Sequence, residues 1–368
     1  MIEARSEANE RFFAIEAERI AELSLRLAER FLAGGRLLAT GASPQDRSDA
    51  HHVAVEFVHP VIVGKRALPA LALRADQVPL LAERGDALIA FGAEASGPPG
   101  CLTIGFAPGA ADWVFQPPAD DPFVRQELVE TLYHVLWESV HVFLEHLGSS
   151  GSGAGSSAFL YPFLEPRAAD LDAVLEDVAS SVLIKAGEVG ELREQTVGDG
   201  LALETAAGVL RDRFAAGGKL LAFGNGGSAT DAMDVVADLE TAGRRALDLS
   251  ADPAILTALA NDVGPEVLFQ RQIIAHGRPG DVALAISTSG GSSNILAALA
   301  EARRRGLETI ALVGYDGGRI ASERLADYVI LAPSQYIPRI QEAQATAYHL
   351  LCEHVATDGA RPVQLASA

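Results

Sequence analysis

AERFLAGGRLLATG (Ala28–Gly41) returns later in the chain as RDRFAAGGKLLAFG (Arg211–Gly224). The correspondence continues in the same order on both sides. SDAHHVAVEF (Ser48–Phe57) matches TDAMDVVADL (Thr230–Leu239), GKRALPAL matches GRRALDL, and GDALIAF matches GDVALAI. LTIGF pairs with TIALVG, DWVFQPP with DYVILAP, and RQELVETLYHVLWE (Arg125–Glu138) with IQEAQATAYHLLCE (Ile340–Glu353). Ordered matches of this kind read as a tandem duplication. Each copy offers five short apolar runs. They are Arg36–Thr40, Ala67–Leu73, Asp86–Phe91, Leu102–Phe106 and Trp113–Phe115, then Lys219–Phe223, Arg245–Leu249, Asp281–Ile286, Thr309–Val313 and Tyr328–Leu331. Apolar runs without clean alternation suit parallel strands covered on both faces. Helical stretches lie between most of them; in Asn294–Arg304, Ile295, Ala298, Leu299 and Ala302 form an apolar stripe at helical spacing. The expected fold class is α/β: two doubly wound parallel five-stranded sheets flanked by helices. The first is abridged, because GAEASGPPG stands where the second copy has STSGGSSNILAALAEARRRGLE, and nine residues are too few for a loop and a crossover helix.

Between the copies runs GSSGSGAGSSA (Gly148–Ala158), a composition that behaves as a flexible linker. The expected domains are therefore 1–147 and 159–368, joined by 148–158. A length of 368 residues agrees with two domains. The net charge of −20 and the lack of a basic stripe argue against a nucleic-acid partner. Hydrophobic residues at 49% and charged residues at 21% can fill a sizeable core. Two cysteines, Cys101 and Cys352, make neither a disulfide framework nor a thiolate metal site. The polar, acidic start MIEARSEANERFF is unlike a signal peptide, and no apolar run is long enough for a membrane span. The expectation is a soluble cytoplasmic protein.

Two loops of the second copy suit an anion. GNGGSATDA (Gly224–Ala232) follows a strand and opens a helix, and STSGGSSN (Ser287–Asn294) does the same after the third strand. Glycines let the backbone bend close to a ligand, and a helix N-terminus presents unpaired N–H groups and a positive dipole end. Asn225, Gly226, Gly227 and Ser228 in the first loop, with Ser287, Thr288, Ser289 and Ser292 in the second, are the candidate phosphate-binding residues. Neither loop carries the lysine of a nucleotide P-loop or a GxGxxG pattern, so one terminal monophosphate is the better fit. The plainer reading is a pair of tight turns with good N-caps.

STSGGSSN, with GNGGSATDAMD upstream, resembles the sugar isomerase (SIS) domain. LTALANDVGPEVLFQRQ (Leu256–Gln272) and PRIQEAQATAYHLLCE (Pro338–Glu353) resemble its phosphoheptose isomerase branch, which isomerises sedoheptulose 7-phosphate and includes non-catalytic relatives. The resemblance covers nearly all of the second copy and, more remotely, the first, so the fold it implies is two tandem SIS-type units. It also implies a zinc site of four residues. Two, a His and a Glu, lie four apart on the helix after the first loop; a Gln and a His lie eight apart on the last helix. Both spacings keep the pair on one helix face. In the first copy these positions hold His52, Glu56, Gln126 and His134. In the second they hold Asp234, Asp238, Gln341 and His349, a weaker set in which Asp238 is one methylene shorter than Glu. Asn261 and Asp262 are assigned to sugar hydroxyls by the same resemblance.

The copies look complementary: one keeps the ligand set, the other the phosphate loops. The resemblance implies an aldose–ketose isomerase acting on a phosphorylated sugar, with one zinc per chain. Glu56 would be the proton-abstracting base and His134 the partnering acid/base and ligand. The family builds its sites between subunits of a tetramer, so a homodimer of tandem chains would supply four units and composite sites. The alternative is a non-catalytic sugar-phosphate-binding or assembly protein, because one copy has a degenerate ligand set and the other has lost a loop.

Overall fold

No glycine or proline interrupts Ile2–Leu32, and Phe12, Phe13, Ile20, Leu23, Leu27 and Phe31 recur on one buried stripe. The segment forms helix α1 (Ile2–Leu32), which Gly34 ends in a left-handed conformation with φ 87°. The computed structural model describes residues 2–60, 65–148, 171–198 and 200–356. Most of the Gly/Ser run expected as the linker lies outside the described residues. The chain divides into two units between Glu191 and Leu192.

In the first unit α1 leads into β1 (Leu37–Gly41), α2 (Pro44–Val58), β2 (Ala70–Leu73), the single turn α3 (Val78–Leu81), β3 (Ala87–Phe91), β4 (Leu102–Gly105), β5 (Trp113–Val114) and α4 (Pro122–Gly148). The next helix is α5 (Leu171–Val197). Its Val174, Val178, Val182 and Ala186 join the first unit's core, and Asn9 Nδ2 donates to Ala186 O at 2.7 Å. That burial is why α5 packs with the first unit although it follows the Gly/Ser run.

The second unit contains α6 (Leu201–Ala215), β6 (Leu220–Phe223), α7 (Gly227–Thr241), β7 (Ala246–Asp248), α8 (Pro253–Asp262), α9 (Leu268–His276), β8 (Val282–Ser287), α10 (Ser293–Arg304), β9 (Glu308–Gly314), the short α11 (Gly318–Ser322), β10 (Tyr328–Ala332) and α12 (Ile337–Ala356). The sheet orders are β2-β1-β3-β4-β5 and β7-β6-β8-β9-β10, and every pairing is parallel. All ten expected strands are present, with ends shifted by a residue or a few.

The duplication extends to hydrogen bonds. Asp86 Oδ1 accepts Arg36 N–H at 2.9 Å, and Asp281 Oδ1 accepts Lys219 N–H at 3.0 Å; each aspartate also pairs with that basic side chain. Asp112 Oδ2 accepts the Thr103 hydroxyl at 2.9 Å, and Asp327 Oδ2 accepts the Thr309 hydroxyl at 2.7 Å. Both acids begin the run into the last strand of their sheet.

The first unit is abridged twice. Residues 92–101 join β3 to β4 without a helix, as the spacing predicts. Between β2 and β3 only a 3₁₀ turn and α3 remain, where the second unit has α8 and α9. The consequence is visible on one sheet face. In the second unit Leu221, Ala283 and Ala311 bury against Phe269, Ile273, Ile295 and Leu299. The equivalent Leu38 and Leu88 form a smaller cluster with Val78 and Cys101, flanked by Leu73 and Ala82. The opposite face, under α2 and α4, keeps a full core.

Candidate functional site

The phosphate-type loops leave the C-terminal ends of β6 and β8, where ligands of such sheets collect. Gly224 must be glycine, because a Cβ there would lie 2.1 Å from Ser228 O. Gly290 has φ 59°, and its Cβ would meet Gly317 O at 2.2 Å. Two amides tie the loops together: Asn225 Nδ2 donates to Asn294 Oδ1 at 3.0 Å, and Asn294 Nδ2 returns to Asn225 Oδ1 at 2.8 Å. The Ser287 hydroxyl accepts Gly290 N–H at 3.2 Å, and the Ser289 hydroxyl accepts Gly291 N–H at 3.3 Å. Ser228 and Ser287 are buried, Thr288 and Ser292 half-buried, and Ser289 exposed. Ser292 is the N-cap of α10, but its hydroxyl makes no capping hydrogen bond. Asn261 and Asp262 end α8, both exposed, with Asn261 Nδ2 donating to Asp262 Oδ1 at 2.7 Å.

The first unit's equivalent turn is closed by its own side chains. Ser43 caps α2, its hydroxyl accepting Asp46 N–H at 3.0 Å, while Asp46 Oδ2 accepts Ser43 N–H at 2.8 Å. That carboxylate lies against Gly92, just beyond β3, where an added Cβ would meet Asp46 Oδ2 at 2.0 Å. A carboxylate occupies the helix start that an anion would otherwise use.

His52 and Glu56 sit one turn apart on α2, facing His134 of α4. His52 Nε2 lies 3.3 Å from His134 Nε2 and 3.9 Å from Glu56 Oε1. Donor atoms of the three residues all lie within 4.8 Å of one another, and all three side chains are buried. Two neutral imidazoles and a carboxylate suit zinc with a fourth position open. Gln126 Nε2 donates to Asp49 Oδ2 at 3.3 Å. Asp49 Oδ1 also accepts the Tyr133 hydroxyl at 3.4 Å. The residue reading omits Asp49 and Tyr133. The signal is their retention in both copies, as Asp231 and Tyr348, where His52 and Glu56 have changed.

In the second unit Asp234, Asp238 and His349 form a matching buried group within 4.8 Å. His349 Nε2 lies 3.4 Å from Asp234 Oδ2 and 3.9 Å from Asp238 Oδ2. The Tyr348 hydroxyl donates to Asp234 Oδ2 at 2.9 Å. Gln341 is buried on α12 two turns before His349. Burial and these two aspartates push the nearby Cys352 thiol well above its ordinary value, so it offers no thiolate.

Residues 188–314 match the SIS domain family. The phosphoheptose isomerase of Citrifermentans bemidjiense is 46% identical over 160 residues, covering 42% of this chain and 82% of that protein. That of Paramagnetospirillum magneticum is 49% identical over 150 residues, covering 39% and 77%. The C-terminal domain of glucosamine-fructose-6-phosphate aminotransferase from Francisella tularensis matches at TM-score 0.61 and 11% identity. It covers 96% of this chain and 93% of that one, a likeness of fold. No helix among the described residues is long and apolar enough to cross a membrane. With loops, sheet order and close relatives in agreement, the chain belongs to the SIS-domain family of phosphoheptose isomerases.

Proposed function

We propose that the protein is a zinc-dependent aldose–ketose isomerase of a phosphorylated sugar, sedoheptulose 7-phosphate or a related heptose phosphate. The observation that carries this reading is the convergence of His52, Glu56 and His134 into one buried group. The relatives' name, phosphoheptose isomerase, supports the substrate class. The second unit's loops would hold the phosphate through backbone N–H groups and the hydroxyls of Ser228, Ser287, Thr288, Ser289 and Ser292. Asn261 and Asp262 would bind sugar hydroxyls. Glu56 would take the proton from the carbon beside the carbonyl and return it to the neighbouring carbon, while His134 moves a proton between the two oxygens. A zinc ion held by His52, Glu56, Gln126 and His134 would polarise the carbonyl.

The test separates chemistry from binding. Glu56→Gln keeps size but cannot accept a proton, so turnover should fall by about 10²–10⁴-fold while phosphate affinity stays near that of the unmutated protein. Ser289→Asp places a negative charge in the cradle and should abolish sugar-phosphate binding. Full turnover in Glu56→Gln would overturn the assignment. A second reading, a non-catalytic sugar-phosphate binder, is favoured by Asp234 and Asp238 in the unit that carries the cradle. Intact phosphate binding with no isomerisation of any heptose phosphate would establish it.

A further inference from the structure

We propose that Asp49 is the positioning residue of the first unit's ligand set, holding Gln126 so that its amide oxygen is the end offered to a cation. The inference rests on the zinc reading above and concerns one residue that reading does not use. A glutamine side chain has two ends of similar shape, and only the oxygen binds a metal. Gln126 Nε2 donates to Asp49 Oδ2 at 3.3 Å. A carboxylate is an acceptor only, so it can hold the NH₂ end and no other, which fixes the amide's orientation. Asp49 is buried, and the Tyr133 hydroxyl donates to its other oxygen at 3.4 Å. It stands three residues before His52 and seven before Glu56 on α2, so the three acidic and imidazole groups share one helix face.

The second unit supplies an internal comparison. Asp231 and Tyr348 occupy the equivalent positions, yet Tyr348 donates to Asp234, the residue that replaces His52. There the tyrosine is taken by a member of the cluster itself. In the first unit an imidazole at position 52 cannot compete with Asp49 for the hydroxyl proton as a carboxylate does, and the hydroxyl goes to Asp49. In the first unit the retained Asp and Tyr form an outer support for the ligand set.

The test is a zinc titration of the full-length protein, stripped of metal by chelation, with thermal stability followed in parallel. The unmutated chain is measured first. Asp49→Asn preserves shape but presents an NH₂ group that can satisfy Gln126's oxygen, so zinc affinity should fall by about 10–100-fold, the usual cost of losing an outer-shell partner. Asp49→Ala should lose as much. In a Gln126→Ala background the further effect of Asp49→Asn should vanish, because Asp49 acts through Gln126. A merely structural Asp49 would lower the melting temperature and leave zinc affinity unmoved. Unchanged affinity in Asp49→Asn, or a full additional loss in the Gln126→Ala background, overturns the proposal while the ligand set stands. An unmutated chain that binds no zinc overturns both. Phosphate binding at the second unit's loops verifies that each variant is folded.

Discussion

Asp248 closes β7 beside the first phosphate-type loop, with Asp248 paired in register to Ala222. Burial raises its carboxyl from an ordinary value of 3.8 to about 6, despite the Ser250 N–H donated to it at 2.6 Å. The folded state therefore holds this proton more tightly than the unfolded chain does. The associated stability is complete below about pH 4 and is lost as the pH rises through 6, a swing of roughly 3 kcal/mol. Asp248→Asn cannot ionise and keeps an oxygen for the Ser250 N–H. Its melting temperature should equal that of the unmutated protein near pH 4 and exceed it by several degrees above pH 7. A difference that is the same at both pH values would show that the carboxyl is not held protonated. The acid also shows what a residue reading can miss. Asp248 looks like one more polar residue at a strand end, and its character comes from its partial burial, which is set by tertiary packing.

At the scale of elements, the Asn225–Asn294 pair ties the two phosphate-type loops into one unit. Each amide both donates to and accepts from the other, so removing one leaves the partner short of two hydrogen bonds. Asn225→Ala and Asn294→Ala should each weaken phosphate binding, and the double variant should be no worse than either alone. A double-mutant cycle on phosphate affinity should return a coupling of about 1 kcal/mol; strict additivity would mean that the loops are positioned separately. Much at this scale is legible from residues. The apolar runs locate all ten strands, and Gly224 and Gly290 mark turns that tolerate no side chain. The allegiance of α5 is not legible, since a Gly/Ser run suggests a boundary there and only the burial of Val178 and Val182 against the first core reveals otherwise. The shortened β2–β3 connection is visible in the spacing of Leu73 and Ala87 against Asp248 and Val282, yet it is hidden by the matching strands on either side. Gln126 is readable as a helix-face partner of His134, but its hydrogen bond to Asp49 depends on how α2 and α4 pack.

At the scale of the whole molecule, the duplicated frame has diverged by subtraction on one side and substitution on the other. The first unit lost the segments equivalent to α8, α9 and α10, which in the second unit carry Asn261, Asp262 and the helix behind Ser287–Ser292. It also fills its remaining loop with the Asp46 carboxylate. It kept α2 and α4, the two helices that present His52, Glu56 and His134. The second unit carries both loops, and has Asp234 and Asp238 where the first has His52 and Glu56. An imidazole pair with one carboxylate is the better zinc donor set, whereas two carboxylates with one imidazole favour harder cations. This division predicts one tightly held zinc and one sugar-phosphate site per chain. Metal analysis of the purified protein should return a single zinc. His134→Ala should remove it while phosphate binding by calorimetry persists with unchanged stoichiometry. His349→Ala should leave the zinc in place. Two zinc ions per chain would make both clusters metal sites, whereas loss of the zinc from His349→Ala alone would make the second unit's aspartates the working metal ligands and the first unit's cluster the relic.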